Sequence, residues 1–138
     1  MKVSPKVKLI RYTSYPEATV ALAAKLCYSD RDLDDLTDNI MASDNSTFIA
    51  RLTDMGHLSP IEHASFTFSI EGVSRALLAQ ITRHRIASFS VRSQRYVSED
   101  SFNYVVPPAI EELGAPSVAR YKGQMDTIMD WYRDWQSA

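Results

Sequence analysis

The chain has 138 residues, 45% of them apolar and 23% charged, a composition that suits one soluble globular domain with a modest core. Its formal net charge of −2 argues against a general nucleic-acid or membrane-surface binder. The longest apolar run, Val20–Ala24, is too short to span a bilayer, and residues 1–6 lack an apolar signal core. Cys27 is the only cysteine, so a disulfide within the chain is excluded. We therefore predict a single domain over residues 1–138, located in the cytoplasm.

The first half of the chain is predicted to form a strand followed by helices. Loose alternation of apolar and polar residues predicts a strand over Val7–Tyr12. Alanine-rich sequence with apolar residues at helical spacing predicts a helix over Ala18–Tyr28. Apolar positions between Leu36 and Leu52 predict helical segments with an interruption near Ser43–Ser46, and Gly56 is the expected C-cap that closes this region.

The second half is predicted to begin with a strand, because apolar and polar residues alternate strictly over residues 66–71. One apolar face predicts a helix from Val73 to about His84, and Tyr96–Tyr104 is predicted to be extended until Pro107-Pro108 stops it. A final helix is predicted over Ala115–Gln136. Two strands among helices, without repeated strand–helix units, predict the α+β class with an antiparallel sheet flanked by helices.

The charge distribution is the most informative feature of the chain. Residues 72–98 hold five arginines and no Asp, Glu or Lys, so this stretch carries +5 and the rest of the chain −7. Four of the five lie in residues 83–96, which we call the arginine segment, interleaved with Ser88, Ser90, Ser93, Gln94 and Tyr96. Arginine suits planar, bidentate recognition of phosphate or carboxylate. An alternative is a solvated basic face paired with the acidic remainder. The missing acids and dense hydroxyls favour an anion site.

Within this region, Gln80 and Arg83 are three residues apart and are predicted to share a helix face. Arg83 and Arg85 are predicted to bind anions near the end of that helix. Arg92, Ser93 and Arg95 are predicted to follow on a loop or short helix. The four glycines, at positions 56, 72, 114 and 123, form neither a G-x-G-x-x-G nor a phosphate-binding P-loop, so any dinucleotide must be bound without a Rossmann turn.

A second polar segment, His57–His63, precedes the second strand. Its two histidines with Glu62 could ligate zinc, but Pro60 between them prevents one helix face from presenting both, and we predict no metal. Ser59 is predicted to cap a short helix with Pro60 at N1 and Glu62 at N3, which would aim free N–H groups at anions. Cys27 is predicted to be a small buried apolar residue rather than a nucleophile.

Both segments match a known family. Arg83-His84-Arg85, Ser88, Ser93 and Arg95 follow the pattern R-H-R-x-x-S-x-x-x-x-S-x-R, by which the chain resembles the flavin-dependent thymidylate synthases. His57–His63 is similar to the family's H-x-[ST]-P-x-E-H segment. The matched segments together cover most of Tyr12–Pro107.

The resemblance implies an enzyme that converts dUMP to dTMP, with 5,10-methylenetetrahydrofolate as carbon donor and FAD reduced by NADPH as hydride source. It implies a homotetramer with shared active sites. The implied FAD-binding residues are His57, Ser59, Arg83, His84 and Arg85. The implied dUMP-binding residues are Gln80, Arg83, Arg92, Ser93, Gln94 and Arg95. Of these, the residues predicted to act on the uracil ring are Arg83, Ser93 and Arg95.

The chain departs from the family pattern in two respects. It carries Val91, followed by Arg92, where the family commonly has Glu or Gln. Family members also continue beyond this length, so the chain is expected to be an N-terminal portion with little activity alone. Two alternatives stay open: an inactive fragment, or a module that binds nucleotides or single-stranded nucleic acid with Phe89, Tyr96 and Tyr104 as stacking platforms. The acidic surroundings disfavour the latter, and we predict neither a nucleic-acid nor a membrane partner.

Overall fold

The computed structural model of the chain describes residues 2–98 and 103–138. Its elements in chain order are β1 (Lys6–Tyr12), α1 (Pro16–Leu26), α2 (Leu33–Met41), α3 (Ser46–Asp54), a 3-10 helix (Ser59–His63), β2 (Phe66–Glu71), α4 (Arg75–Ile81), α5 (Pro108–Glu112) and α6 (Ala115–Ser137). The chain divides into two compact units. We call Val7–Ser69 the helical unit, and Met1–Lys6 with Ile70–Ala138 the arginine unit. That the chain is a single domain stays a prediction.

β1 and β2 form a two-stranded antiparallel sheet. Beside it, the Thr13 N–H donates to the Ser65 carbonyl at 3.0 Å, and the Ser65 N–H donates to the Thr13 hydroxyl at 2.9 Å. Every residue of both strands is exposed, including Phe66 and Phe68, whose rings stack 6.5 Å apart. Both predicted strands and the α+β class are therefore confirmed. Across the described residues, no helix has the length and apolar character needed to cross a membrane.

The helical unit has its core where α1 packs against α2 and α3. Ala21, Leu36 and Ile40 are buried together, and Ile40 is only 1% exposed. The partly buried apolar side chains around this cluster are Ala18, Leu22 and Phe48. Ala21 gives α2 room to approach α1, because its side chain is a single methyl group. The helical spacing of these residues in the sequence thus reflects their packing.

Asn45 explains the interruption between α2 and α3. Its side chain is buried, and the amide Nδ2 donates to the carbonyls of Ile40 at 2.9 Å and Ser43 at 3.1 Å. The Ile40 carbonyl, in the last turn of α2, also accepts the Ser43 N–H at 3.2 Å, so the Asn45 side chain closes the turn that follows the helix. The predicted interruption near Ser43–Ser46 is confirmed, and α3 begins at its last residue.

The arginine unit is built on α6 and the N-terminal residues. Met129, on α6, is 5% exposed, while Tyr104 and Val106 precede α5 and are 9% and 6% exposed. The Val3 N–H donates to the Tyr104 carbonyl at 3.1 Å, and the Tyr121 hydroxyl donates to the Val105 carbonyl at 3.3 Å. The predicted final helix is confirmed.

Gly72 allows the backbone at Ser4, just before β1, to pass closely over the turn that follows β2. Its φ is +69°, a conformation that favours glycine, and a Cβ at this position would overlap the Ser4 carbonyl oxygen. Ser74 then caps α4, because its hydroxyl accepts the Leu77 N–H at 3.1 Å. The turn and cap together fix where α4 begins.

Three predictions need correction. The helix predicted from Val73 to about His84 is shorter, because the Ser74 cap delays its start and backbone turns replace it after Thr82. Tyr96 lies in a turn rather than in an extended segment, and residues 99–102 of that prediction fall outside the described residues. Pro107-Pro108 does stop the preceding segment, but it also opens α5, a helix that the sequence analysis did not predict.

Candidate functional site

The arginine segment begins immediately after α4. Gln80 lies in the last turn of this helix, whereas Arg83 lies beyond its end, so the predicted shared helix face is wrong. The chain instead continues in tight turns: the Arg83 N–H donates to the Gln80 carbonyl at 3.2 Å, and the His84 N–H donates to the Ile81 carbonyl at 3.1 Å. Arg83, His84 and Arg85 are all exposed as a result.

Ser93 organises the second half of the arginine segment into a turn. The predicted loop or short helix at this position is therefore a loop. Its hydroxyl oxygen accepts the Arg95 N–H at 3.2 Å, and its carbonyl accepts the Val97 N–H at 3.2 Å. Ser93 is half-buried, while Arg92, Gln94 and Arg95 are exposed. Because the hydroxyl accepts from the backbone, its own proton is left to donate to a ligand. The Arg95 guanidinium lies 5.7 Å from the centre of the Tyr96 ring, within reach of a cation–π interaction.

Arg75, the first residue of α4, contacts this turn. Its Nη2 donates to the Arg92 carbonyl at 3.1 Å. Both arginines, with Gln94, line a pocket of about 800 Å³ within the arginine unit. Sequence reasoning assigned no role to Arg75; the available signal was that it is the one arginine of the acid-free stretch outside the arginine segment.

The electrostatics distinguish the arginine segment from the rest of its unit. The ion pairs there join Lys6 to Glu71 at 3.0 Å, Arg133 to Asp130 at 3.7 Å, and Lys2 to Glu111. Within residues 2–98 and 103–138, no carboxylate forms an ion pair with an arginine of the segment. Exposed guanidinium groups without such partners retain their donors for an anion.

His57 and Ser59 belong to the helical unit, where the end of α3 positions them. Gly56, at φ +75°, follows the C-cap Met55, as expected for the residue that ends this helix. The Gly56 N–H donates to the Thr53 carbonyl at 3.0 Å, and the His57 N–H donates to the Leu52 carbonyl at 2.9 Å. This is a Schellman motif, which fixes the direction of the chain at His57.

The predicted capping role of Ser59 is wrong. The N-cap is Leu58, and Ser59 is the first residue of a 3-10 helix that has no side-chain cap hydrogen bond. The Schellman motif brings the chain into this helix one residue earlier than the sequence pattern suggests. Pro60 consequently lies at the second position instead of the first. Among the described residues, no three His, Cys, Asp or Glu side chains lie close enough together to hold a metal ion.

A pocket of about 730 Å³ in the helical unit is lined by both His57 and Ser59. Lys25 and Arg31 also line it, so that two cations face the same cavity. Cys27 lies on this wall as well and is exposed, which corrects the prediction that it is buried. It is the C-cap of α1, where the helix leaves the core.

The predicted site residues are thus distributed over the two units. The helical unit holds His57 and Ser59 in one cavity, and the arginine unit holds the others. The turns after α4 bring Gln80 and Arg83 together, and the Ser93 turn brings Ser93 and Arg95 together. The ligand assigned to each residue stays a prediction.

The fold and these exposed arginines define an α+β protein with a surface suited to binding anions. Comparison with known proteins identifies the family. The family described as "Thymidylate synthase complementing protein" matches residues 8–138. The chain belongs to this family.

Three curated relatives support the same family assignment. The flavin-dependent thymidylate synthase of Clostridium tetani (strain Massachusetts / E88) is 51% identical over 107 residues, which are 78% of this chain and 43% of the relative. That of Geobacter sulfurreducens is 50% identical over 130 residues, or 93% of this chain and 56% of the relative. That of Nitratidesulfovibrio vulgaris is 43% identical over 138 aligned residues, or 96% and 56%. The chain therefore spans about half the length of these relatives.

Proposed function

We propose that the protein is a flavin-dependent thymidylate synthase, which converts dUMP to dTMP with 5,10-methylenetetrahydrofolate as carbon donor. The observation that carries this proposal is the exposed arginine segment, whose turns and irregular backbone carry the family pattern and whose guanidinium groups form no ion pair with a described carboxylate. The names of the curated relatives support it. The proposed cofactors are FAD and, as its reductant, NADPH.

The residues of the chain fit the phosphates of FAD. Arg83, His84 and Arg85 are exposed on consecutive turn positions, and two guanidinium groups there can each form paired hydrogen bonds to phosphate oxygens. Bound FAD would supply the hydride chemistry, while the protein supplies binding and orientation. We also propose His57 and Ser59 as FAD-binding residues; both line the cavity of the helical unit, together with Lys25, Asp30 and Arg31.

The Ser93 turn fits dUMP. Arg92, Gln94 and Arg95 are exposed around the half-buried Ser93, and Gln80 lies in the last turn of α4, which precedes the segment. In the proposed mechanism, Ser93 donates its free hydroxyl proton to the uracil base. Arg83 and Arg95 would polarise the uracil carbonyls and stabilise the negative charge that develops on them. Fixed cations do so without reorganising during the reaction.

We further propose that no cysteine or serine nucleophile takes part. Cys27 is the only thiol, and its Sγ lies 3.6 Å from the Ala23 carbonyl, a contact within its own helix. Ser93 accepts a backbone N–H, and no histidine hydrogen bond to its hydroxyl is found among the described residues. Replacing Cys27 with Ala should leave dTMP formation intact. Loss of all turnover in a folded, FAD-binding Cys27→Ala protein, or a covalent adduct on Ser93, would overturn this mechanism.

The proposed function is tested by measuring dTMP formation from dUMP with FAD, NADPH and 5,10-methylenetetrahydrofolate in a protein of the relatives' full length, because this chain spans about half of it. Omission of FAD should abolish the product, and NADPH should be consumed in step with it. Tight binding of single-stranded nucleic acid, without flavin binding or dTMP formation, would instead support the alternative of a nucleic-acid module.

We propose that the protein acts as a homotetramer in the cytoplasm. Exposed aromatic side chains on α6 support self-association: Trp131 is 61% exposed and Trp135 is 82% exposed. Aromatic rings of this size are enriched where proteins associate. Light scattering of a protein of the relatives' full length, in the presence of FAD, should give the mass of four chains, and a monomeric mass would contradict the proposal.

A further inference from the structure

One arginine of the acid-free stretch contacts the backbone of the proposed dUMP-binding turn. The Arg75 Nη2 donates to the Arg92 carbonyl at 3.1 Å, across 17 residues of sequence. Ser93, Gln94 and Arg95 follow directly. The Ser93 hydroxyl then accepts the Arg95 N–H at 3.2 Å, so the bond from Arg75 acts on the residue directly before this turn.

The base of the Arg75 side chain is itself well fixed. Arg75 is the first residue of α4, directly after the Ser74 cap. The turn before it depends on Gly72, whose α-carbon faces the Ser4 carbonyl so closely that no side chain fits. A side chain that extends from such a point can define the position of a loop, whereas an arginine on a flexible segment could not.

We propose that Arg75 is a positioning residue for dUMP, which holds the Arg92 carbonyl so that Ser93, Gln94 and Arg95 face the nucleotide before it binds. The inference rests on the proposed function, because it assumes that this turn binds dUMP. A turn ordered in advance loses less conformational entropy on binding, so its affinity is higher than that of a mobile turn. Arginine suits this role because its guanidinium remains charged and a charged donor makes a stronger hydrogen bond.

The hydrogen bond from Arg75 to the Arg92 carbonyl distinguishes a positioning role from direct binding of an anion by Arg75. A positioning residue orders the turn in the absence of any ligand, whereas a ligand-binding residue would leave the free turn unchanged. Trypsin cleavage after Arg95 in the ligand-free protein therefore reports on positioning alone, because the protease requires a locally open chain. The affinities for dUMP and FAD then report on the consequence for binding.

The experiment compares Arg75→Met, which keeps an unbranched side chain without the donors, with Arg75→Lys, which keeps a charged donor. Arg120→Met is the matched control, since it removes an exposed arginine from α6 in the same unit. We expect Arg75→Met to accelerate cleavage after Arg95 and to weaken dUMP binding by about three- to tenfold each, the equivalent of one hydrogen bond. FAD affinity should not change. Arg75→Lys should restore both properties to within about twofold, and Arg120→Met should resemble the wild type.

Cleavage of Arg75→Met at the wild-type rate would overturn the positioning role, as would an equal loss of dUMP and FAD affinity together with a lower melting temperature. Failure of the wild-type protein to bind dUMP would contradict the proposed function instead. The ligand-free cleavage rates would then still decide whether Arg75 holds the turn.

Discussion

The core of the helical unit and the arginine segment contain similar apolar side chains in opposite surroundings. Ile40, between α1 and α2, is 1% exposed, whereas Ile86, between Arg85 and Ala87, is 103% exposed. The core gains stability from burying apolar surface. The segment is held by backbone turns, by the bond from Arg75 and by the Ser93 hydroxyl that accepts the Arg95 N–H. It places at the surface arginines that form no ion pair with any carboxylate of residues 2–98 and 103–138.

This difference shows that the two regions have different roles: the core stabilises the fold, and the arginine segment is available to ligands. Substitutions in the core should change the free energy of unfolding. Substitutions in the arginine segment should change ligand affinity and leave stability nearly unaffected. The following changes test that separation, beginning with the largest expected effect.

Ile40→Ala should be the most damaging change to stability. Removing a fully buried isoleucine leaves a cavity between α1 and α2, and we expect a loss of about 2–5 kcal/mol in the free energy of unfolding. The matched control is Ile86→Ala, which should change it by less than about 0.5 kcal/mol. Urea denaturation followed by circular dichroism measures both. Equal losses in the two variants would contradict the contrast between the regions.

Gly72→Ala should also destabilise the protein. A left-handed backbone costs a residue other than glycine about 1–3 kcal/mol, and overlap of the new Cβ with the Ser4 carbonyl adds to this cost. Gly123→Ala is the matched control, because Gly123 lies within α6 with no atom near its added Cβ. Alanine there should raise stability by about 0.5–1 kcal/mol. The melting temperature should fall in Gly72→Ala and rise in Gly123→Ala. Shifts of the melting temperature in the same direction would be evidence against this account of Gly72.

In the arginine segment, Arg95→Ala should weaken dUMP and Arg85→Ala should weaken FAD. Each variant loses a charge-assisted bond to a ligand, which we expect to cost about 1.5–3 kcal/mol of binding free energy. Calorimetric titration of both ligands into both variants, with Arg120→Ala as control, measures the dUMP and FAD affinities of each variant. Unchanged affinity for both ligands in both variants would remove the assignment of the arginines to anion binding.

The smallest effect concerns Asp44, between α2 and α3. The Ser46 N–H donates to its carboxylate at 2.9 Å and, with the Ser46 hydroxyl, lowers the pKa of Asp44 below its ordinary value of 3.8. A lowered pKa in the folded state means that the charged carboxylate contributes stability above pH 3.8, which is lost as the pH falls through the folded-state pKa.

Two measurements check this sign. In an NMR titration, Ser46→Ala should raise the pKa of Asp44 towards its ordinary value while leaving it lowered, because the backbone N–H remains. The stability difference between wild type and Asp44→Asn should shrink as the pH falls from about 5 to about 2. A difference that grows over this range would show that the sign is wrong.

How far the sequence predicts the structure also differs between the two regions. α1, α6 and the interruption before α3 follow from apolar periodicity, because burial of one helix face imposes a repeat that is visible locally. The strands follow from the alternation of apolar and polar residues, although every residue of both is exposed. The arginine pattern identifies the candidate ligand residues in the same way, as a local concentration of one residue type.

The contacts that position those residues were not predictable. Arg75 finds its acceptor 17 residues away, and neither residue type nor spacing marks Arg92 as that acceptor. The Schellman motif at Gly56 displaces Ser59 from the N-cap, although the local pattern fits a capping box. Cys27 is exposed because α1 ends there, a boundary that residue type alone did not reveal. The acceptor of a side-chain hydrogen bond and the boundary of a helix depend on the three-dimensional packing of the turns, which a local sequence pattern does not record.

The central claim is that the arginine segment binds the phosphates of FAD and dUMP, and sequential titration tests it most directly. FAD is added to the wild-type protein and to an Arg83→Ala/Arg85→Ala/Arg95→Ala variant, and dUMP is then added while the flavin absorption spectrum is followed. Our account predicts that the wild type binds FAD, that dUMP then perturbs the flavin spectrum, and that the triple variant unfolds at the same urea concentration but binds neither ligand. Equal binding of FAD and dUMP by the wild type and the folded triple variant would contradict it.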